Sequence, residues 1–188
     1  MAIALESRTA PLRHLAEHAG DVARACHAMA VRFHGGGRLL VFGDGTSSSD
    51  AQHVAVEFVH PVIVGKRALP ALALTADVST MTGVAARDGF AEVYAHQIRH
   101  LAAPGDIALG LAADGDDAAV RRGLEQARSA GLLCVAMTAA HGPPPEAAHH
   151  VLTAAATDPR IVKEVHVTMY HVLWELVHVF LQQPGTLR

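Results

Sequence analysis

Gly43-Asp44-Gly45-Thr46-Ser47-Ser48-Ser49-Asp50-Ala51-Gln52-His53-Val54-Ala55-Val56-Glu57 is the stretch on which the fold turns. It follows an apolar run, Arg38-Leu39-Leu40-Val41-Phe42, bends on two glycines, offers a row of hydroxyls and then sets His53 and Glu57 four residues apart. A strand, a polar turn and a helix start leave free N–H groups and the positive end of a helix dipole facing the turn, which suits an anion. The spacing puts His53 and Glu57 on one face of that helix. On most helices such a pair is simply a solvated face. The glycine turn at a strand end is what makes Glu57 a candidate for chemistry.

Outward from this unit, strand-like runs recur at 38–42, 68–75, 106–110, 132–138 and 150–154, separated mostly by helical patterns at 47–59, 89–101 and 116–129. Such alternation predicts an α/β protein with a parallel sheet wrapped by helices, its ligands bound beyond the carboxyl ends of the strands. Residues 8–34 carry Leu12, Leu15, Val22, Cys26, Met29 and Phe33 at three- and four-residue steps, predicting one amphipathic helix closed by Gly35-Gly36-Gly37. The last long element, 159–182, opens with Asp158 as cap and Pro159 at the first helical position. Its wide apolar stripe, together with the long N-terminal helix, points to burial on more than one side and so to subunit association. The organisation expected is one domain over 1–188, with 1–35 as an N-terminal helical extension.

Composition narrows the functions. A chain of 188 residues with a formal charge of −3 and only 4% aromatic residues carries no basic footprint for nucleic acid or membrane and few platforms for stacking bases. Cys26 and Cys134 stand far apart, without the spacing of a disulfide framework or a zinc motif, which fits a reducing compartment. With no leader-like start and no membrane-length apolar window, the expectation is a cytoplasmic protein. The 14 histidines are mostly scattered singly, and their number alone does not make a metal protein.

In the last helix, Lys163 and Glu164 lie eight and seven residues before His171, close to one face. If the starts of the two helices converge above the sheet, a carboxylate and an imidazole stand on opposite sides of one small substrate. That arrangement suits proton shuttling between adjacent carbons of a sugar. His166, on another face, reads as structural.

The run Gly-Asp-Gly-Thr-Ser-Ser-Ser-Asp-Ala-Gln-His-x-Ala-x-Glu-Phe resembles the SIS-domain proteins, specifically the phosphoheptose isomerase (sedoheptulose 7-phosphate isomerase) subfamily. Further matches are 69–79, Arg87-Asp88-Gly89-Phe90, Pro104-Gly105-Asp106, and Glu164-Val165-His166 followed by His171. The resemblance implies a five-stranded parallel sheet flanked by helices, flavodoxin-like in topology, in a homotetramer whose sites are shared between subunits. It implies Glu57 as catalytic base and His171 as acid in an aldose–ketose isomerisation, with Ser47, Ser48 and Asp77 lining the sugar and Asp158 nearby. No cofactor is required on this reading. Some relatives hold zinc on the equivalents of His53, Glu57 and His171 plus a glutamine. Lys163 stands where that glutamine is expected, and a protonated lysine has no lone pair to give. Its ammonium is instead expected to take a cation's place beside Glu57.

A second departure lies at the third strand. The family's phosphate loop usually reads Gly-x-Ser-Thr-Ser-Gly-x-Ser; here it is Gly110-Leu111-Ala112-Ala113-Asp114-Gly115-Asp116-Asp117, with all four hydroxyls gone and three carboxylates arrived. Two like charges about 4 Å apart repel by roughly 4 kcal/mol at an effective dielectric near 20, so Asp114, Asp116 and Asp117 oppose a phosphate and suit sugar hydroxyls or a cationic group. Asp116 or Asp117 also reads as the cap of the next helix. Three functions therefore stay open: a heptose phosphate isomerase, a non-catalytic SIS tetramer or dimer that binds a protein partner, and an enzyme for an unphosphorylated sugar.

Overall fold

The computed structural model describes residues 2–113 and 117–187. In chain order the elements are α1 (Ala2–Glu17), α2 (Ala19–His34), β1 (Leu39–Gly43), α3 (Ser47–Val59), β2 (Ala71–Ala73), α4 (Val78–Asp88), α5 (Val93–Leu101), β3 (Ile107–Ala112), α6 (Ala118–Ser129), β4 (Leu133–Ala139), β5 (His150–Ala154) and α7 (Pro159–Leu181). All five strands pair in parallel in the order β2-β1-β3-β4-β5. The order reverses at β1, so the crevice beyond β1 and β3 is the place where this topology binds ligands.

Alternation along the buried strands sorts the two faces. Leu39, Val41, Ile107, Leu109, Leu111, Val135 and Met137 face α2, α3 and α7, whereas Leu40, Phe42, Ala108, Cys134 and Ala136 face α4, α5 and α6. The second face is lined with smaller residues, which lets α6 come close. A Cβ on Gly110 would stand 2.8 Å from Val120 Cγ1, and one on Gly123 would stand 2.7 Å from Phe42 Cε2.

The two glycines of the opening stretch have different reasons. Gly45 takes φ +48°, a left-handed conformation that other residues adopt at a cost. Gly43 makes room: a Cβ there would lie 2.7 Å from Leu111 O and 2.8 Å from Ser47 Cβ. Backbone cannot step aside as a side-chain tip can. Gly43→Ala is therefore expected to destabilise the protein by about 2 kcal/mol, read by urea unfolding. Gly83→Ala in α4, where a Cβ meets nothing within 4 Å, should gain up to about 1 kcal/mol.

Two sequence expectations change. The single helix expected over 8–34 is two, because His18 leaves helical geometry (φ −100°, ψ 21°) and redirects the chain between α1 and α2. The apolar stripe belongs to both, and its α2 part, from Val22 to Phe33, is buried. The other change is α4, which has little apolar periodicity and starts from an Asp77 cap. No helix among the described residues is long and apolar enough to cross a membrane.

Candidate active site

Helices α3 and α7 lie side by side, and polar ties recur along their seam. Lys163 Nζ reaches Asp50 Oδ2 at 2.7 Å and donates to Thr46 O at 2.9 Å; Tyr170 meets His53; and Trp174 Nε1 donates to Glu57 O at 2.9 Å. Positions 50, 53 and 57 advance together with 163, 170 and 174, so the helices run in the same sense. The Trp174 bond also satisfies one of the carbonyls that the end of α3 leaves without an intrahelical partner.

At the middle of this seam stand His53, Glu57 and His171. His53 Nε2 is 3.2 Å from Glu57 Oε1, its Nδ1 is 3.1 Å from the Tyr170 hydroxyl, and the His53 and His171 rings meet edge to face with centroids 5.2 Å apart. One ligand atom from each of the three lies within 4.8 Å of the others. The Glu57 side chain is 12% exposed and that of His53 43%, so the carboxylate is sheltered at the edge of an open face. Burial, then the charges of Asp50 and Glu57, push the Tyr170 phenol up, which keeps it a protonated donor.

Two nitrogens and a carboxylate in this arrangement suit a three-ligand zinc site with a fourth position open. Lys163 does not take that fourth place. It is engaged by Asp50 and the first turn of α3, so its ammonium serves Asp50 rather than Glu57, contrary to the expectation from sequence.

The other candidates divide by what their side chains do. Ser47 is buried at the start of α3, and Ser48 turns its hydroxyl back on Gly45 O at 2.7 Å. Asp77 caps α4, accepting from Thr80 N at 3.0 Å and Thr80 Oγ1 at 2.6 Å; the hydroxyl and then the N–H hold its carboxyl below the usual range. Asp158 caps α7 as expected, and its hydrogen bonds with the Arg160 side chain and N–H bring it down to about 2. Glu164 is clamped by Arg8 of α1 at 2.6 and 2.8 Å. His166 is buried against Thr138 O at 3.2 Å, the structural role expected of it. Asp114 and Asp116 lie outside the described residues.

Asp117 caps α6, its Oδ1 accepting from Val120 N at 3.0 Å. Its Oδ2 is shut off from solvent and meets no donor among the described residues. Burial, then the adjoining Asp44 carboxyl, push the Asp117 carboxyl up to about 7. The folded chain thus keeps a proton that the unfolded chain releases near its ordinary value of 3.8. Stability from this source is intact below pH 4, falls between about pH 4 and 7, and stays reduced above that. Asp117→Asn keeps the cap oxygen and removes the charge. Allowing for solvent screening, it should stabilise the chain by about 1–2 kcal/mol at pH 8 and hardly at all at pH 4, as read by thermal melts across that range.

Sequence reasoning missed Tyr170, Trp174, Asp50 and Asp44 as members of the site. Tyr170 and Trp174 flank His171 at one and three residues, and Asp44 and Asp50 lie within the opening stretch. Each acquires its role only when α3 meets α7, or β1 meets α6.

Similarity to known proteins extends over most of the chain. The family profile of the SIS domain matches residues 5–139. The phosphoheptose isomerase of Solidesulfovibrio magneticus is 35% identical over 176 residues, 94% of this chain and 86% of that protein; that of Aquifex aeolicus is 34% identical over 173 residues, 92% and 91%. A solved structure of a phosphoheptose isomerase from Francisella tularensis superposes with a TM-score of 0.84 at 27% identity, covering 94% of this chain and 95% of that one.

Proposed function

Because the chain belongs to the phosphoheptose isomerase family of SIS-domain proteins, we propose that it interconverts the ketose and aldose forms of a seven-carbon sugar phosphate, with sedoheptulose 7-phosphate the first substrate to test. The observation that carries this reading is the sheltered Glu57 carboxylate brought together with His171 on the α3/α7 seam. Glu57 takes the proton from the carbon next to the carbonyl, and His171 gives a proton to the carbonyl oxygen, producing an enediol. Reversal with the roles exchanged on the neighbouring carbon completes the conversion without any external oxidant. His53 Nε2, 3.2 Å from Glu57 Oε1, holds the carboxylate in place. Where zinc is bound, His53, Glu57 and His171 would hold it, and it would supply polarisation of the carbonyl oxygen.

The enzyme is read as a cytoplasmic homotetramer. Support comes from the open face at the seam and from an apolar groove between α1 and α7, lined by Leu12, Leu15, Val172 and Leu176, both of which a second subunit would cover. Incubation of the full chain with sedoheptulose 7-phosphate should yield the aldose heptose phosphate. Absence of turnover across a panel of ketose and aldose phosphates counts against the assignment.

One observation favours a second reading, in which the sugar carries no phosphate. At the crevice between β1 and β3, the start of α6 is already occupied by the Asp117 carboxyl, with Asp44 against it. A phosphate there would meet negative charge and find the Val120 N–H taken. On this reading free sedoheptulose competes as well as its phosphate does in an inhibition assay; a preference of a hundredfold for the phosphate removes it.

A further inference from the structure

Among the described residues, three side chains from elsewhere in the chain fasten the turn after β1, each through one of its carbonyls. Tyr94 of α5 donates to Gly43 O at 2.6 Å, Lys163 of α7 to Thr46 O at 2.9 Å, and Thr75, just past β2, to Ser48 O at 3.3 Å. The Tyr94 bond is the shortest of these, and its residue is wholly buried. Burial, then the charges of Asp44 and Asp117, push the Tyr94 phenol up, so the hydroxyl keeps the proton it donates.

Helix α5 does the same for the neighbouring strand. Gln97, three residues after Tyr94 and on the same face, donates from Nε2 to Leu74 O at 3.0 Å, one residue past the end of β2. Two buried polar side chains of one helix thus meet carbonyls at the carboxyl ends of β1 and β2, the end of the sheet at which parallel α/β folds bind ligands. The tyrosine ring packs on Phe42 with centroids 5.1 Å apart, so it keeps its place without the hydroxyl.

The Gly43 carbonyl matters because the turn hangs from it. Gly43 is the last residue of β1 and has no Cβ to resist a tilt of the next peptide plane. Asp44 O accepts from Ser47 N at 2.8 Å and Gly45 O from Ser48 N at 3.3 Å, so a tilt at Gly43 is passed on to the first residues of α3. A buried carbonyl stripped of its donor is costly, and the backbone relieves that cost by turning it toward water.

We propose that Tyr94 is a positioning residue for substrate binding: its hydroxyl fixes the Gly43 carbonyl and so holds the turn over 43–48 in the shape that receives the sugar. Tyr94 acts through Gly43 and touches no reacting atom. The inference rests on the isomerase reading above, and it adds a residue from outside the α3/α7 seam.

Tyr94→Phe keeps the buried ring and removes only the hydroxyl. With sedoheptulose 7-phosphate, KM should rise about tenfold while kcat stays within twofold of wild type, the pattern left by losing an interaction that serves ground state and transition state equally. A merely structural role would lower the melting temperature and the amount of active protein without moving KM. Hydrogen exchange reads the turn without turnover. The Ser47 and Ser48 amides should exchange about tenfold faster in Tyr94→Phe, with those of Val135 and Met137 in β4 unchanged. An unchanged KM, a fall in kcat alone, or unchanged exchange at Ser47 and Ser48 would overturn the proposal. Wild-type protein that turns over no sugar phosphate overturns the isomerase reading instead, and the exchange comparison then decides whether Tyr94 holds the turn.

Discussion

Glu57→Gln is expected to lower kcat by about 10²- to 10⁴-fold, the range typical of a lost general base, with a much smaller change in KM. The substitution is nearly isosteric. The amide offers an oxygen and an NH2 where the carboxylate met His53 Nε2, and the Trp174 bond goes to the backbone carbonyl of residue 57, which the change leaves alone. The helix seam is thus retained while the group that accepts a proton from carbon is lost. Steady-state aldose formation, with a melting curve to show that the fold persists, separates this from damage to structure. If the rate stays within tenfold of wild type, the base lies elsewhere.

The second large effect is on stability. Lys163→Met removes the cation from an Asp50 carboxylate whose side chain is 9% exposed, and the partner contacts at Thr46 O and Ser49 Oγ go with it. Breaking a buried pair by removing one member leaves a charge without compensation, at a cost of roughly 3–5 kcal/mol. Because a third of the lysine side chain reaches solvent, the lower end, about 3 kcal/mol, is expected in urea unfolding at pH 7. Asp50→Asn combined with Lys163→Met should recover much of that loss, since the stranded charge has been removed too. Additive losses would mean that the pair contributes little and that packing of the lysine stem dominates.

The frame of the fold was legible because strand and helix periods alternate cleanly around the glycine turn. The expected α3, from Ser47 to Val59, coincides with the observed helix, and Asp158 and Pro159 begin α7 as their capping chemistry requires. The break at His18 was not legible, since the apolar spacing of residues 8–34 continues across it and the change of direction comes from packing. Helix α4 escaped for the opposite reason. Thr80, Thr82 and Gly83 are weak helix formers, and of its residues only Val84 is buried. At the site, motif residues identified His53, Glu57 and His171, yet the partners that orient them come from the seam between two helices more than a hundred residues apart. Lys163 shows the same limit: alignment placed it beside Glu57, and the short reach to Asp50 decided otherwise.

The central claim is that Glu57 moves a proton between carbon and solvent, and deuterium incorporation measures that step directly. With wild-type protein in deuterated water, the hydrogen on the carbon next to the sugar carbonyl should exchange for deuterium at a rate comparable to turnover. Glu57→Gln should lose exchange and turnover together. Product that forms without solvent deuterium, or exchange that persists undiminished in Glu57→Gln, would contradict the proton-transfer account.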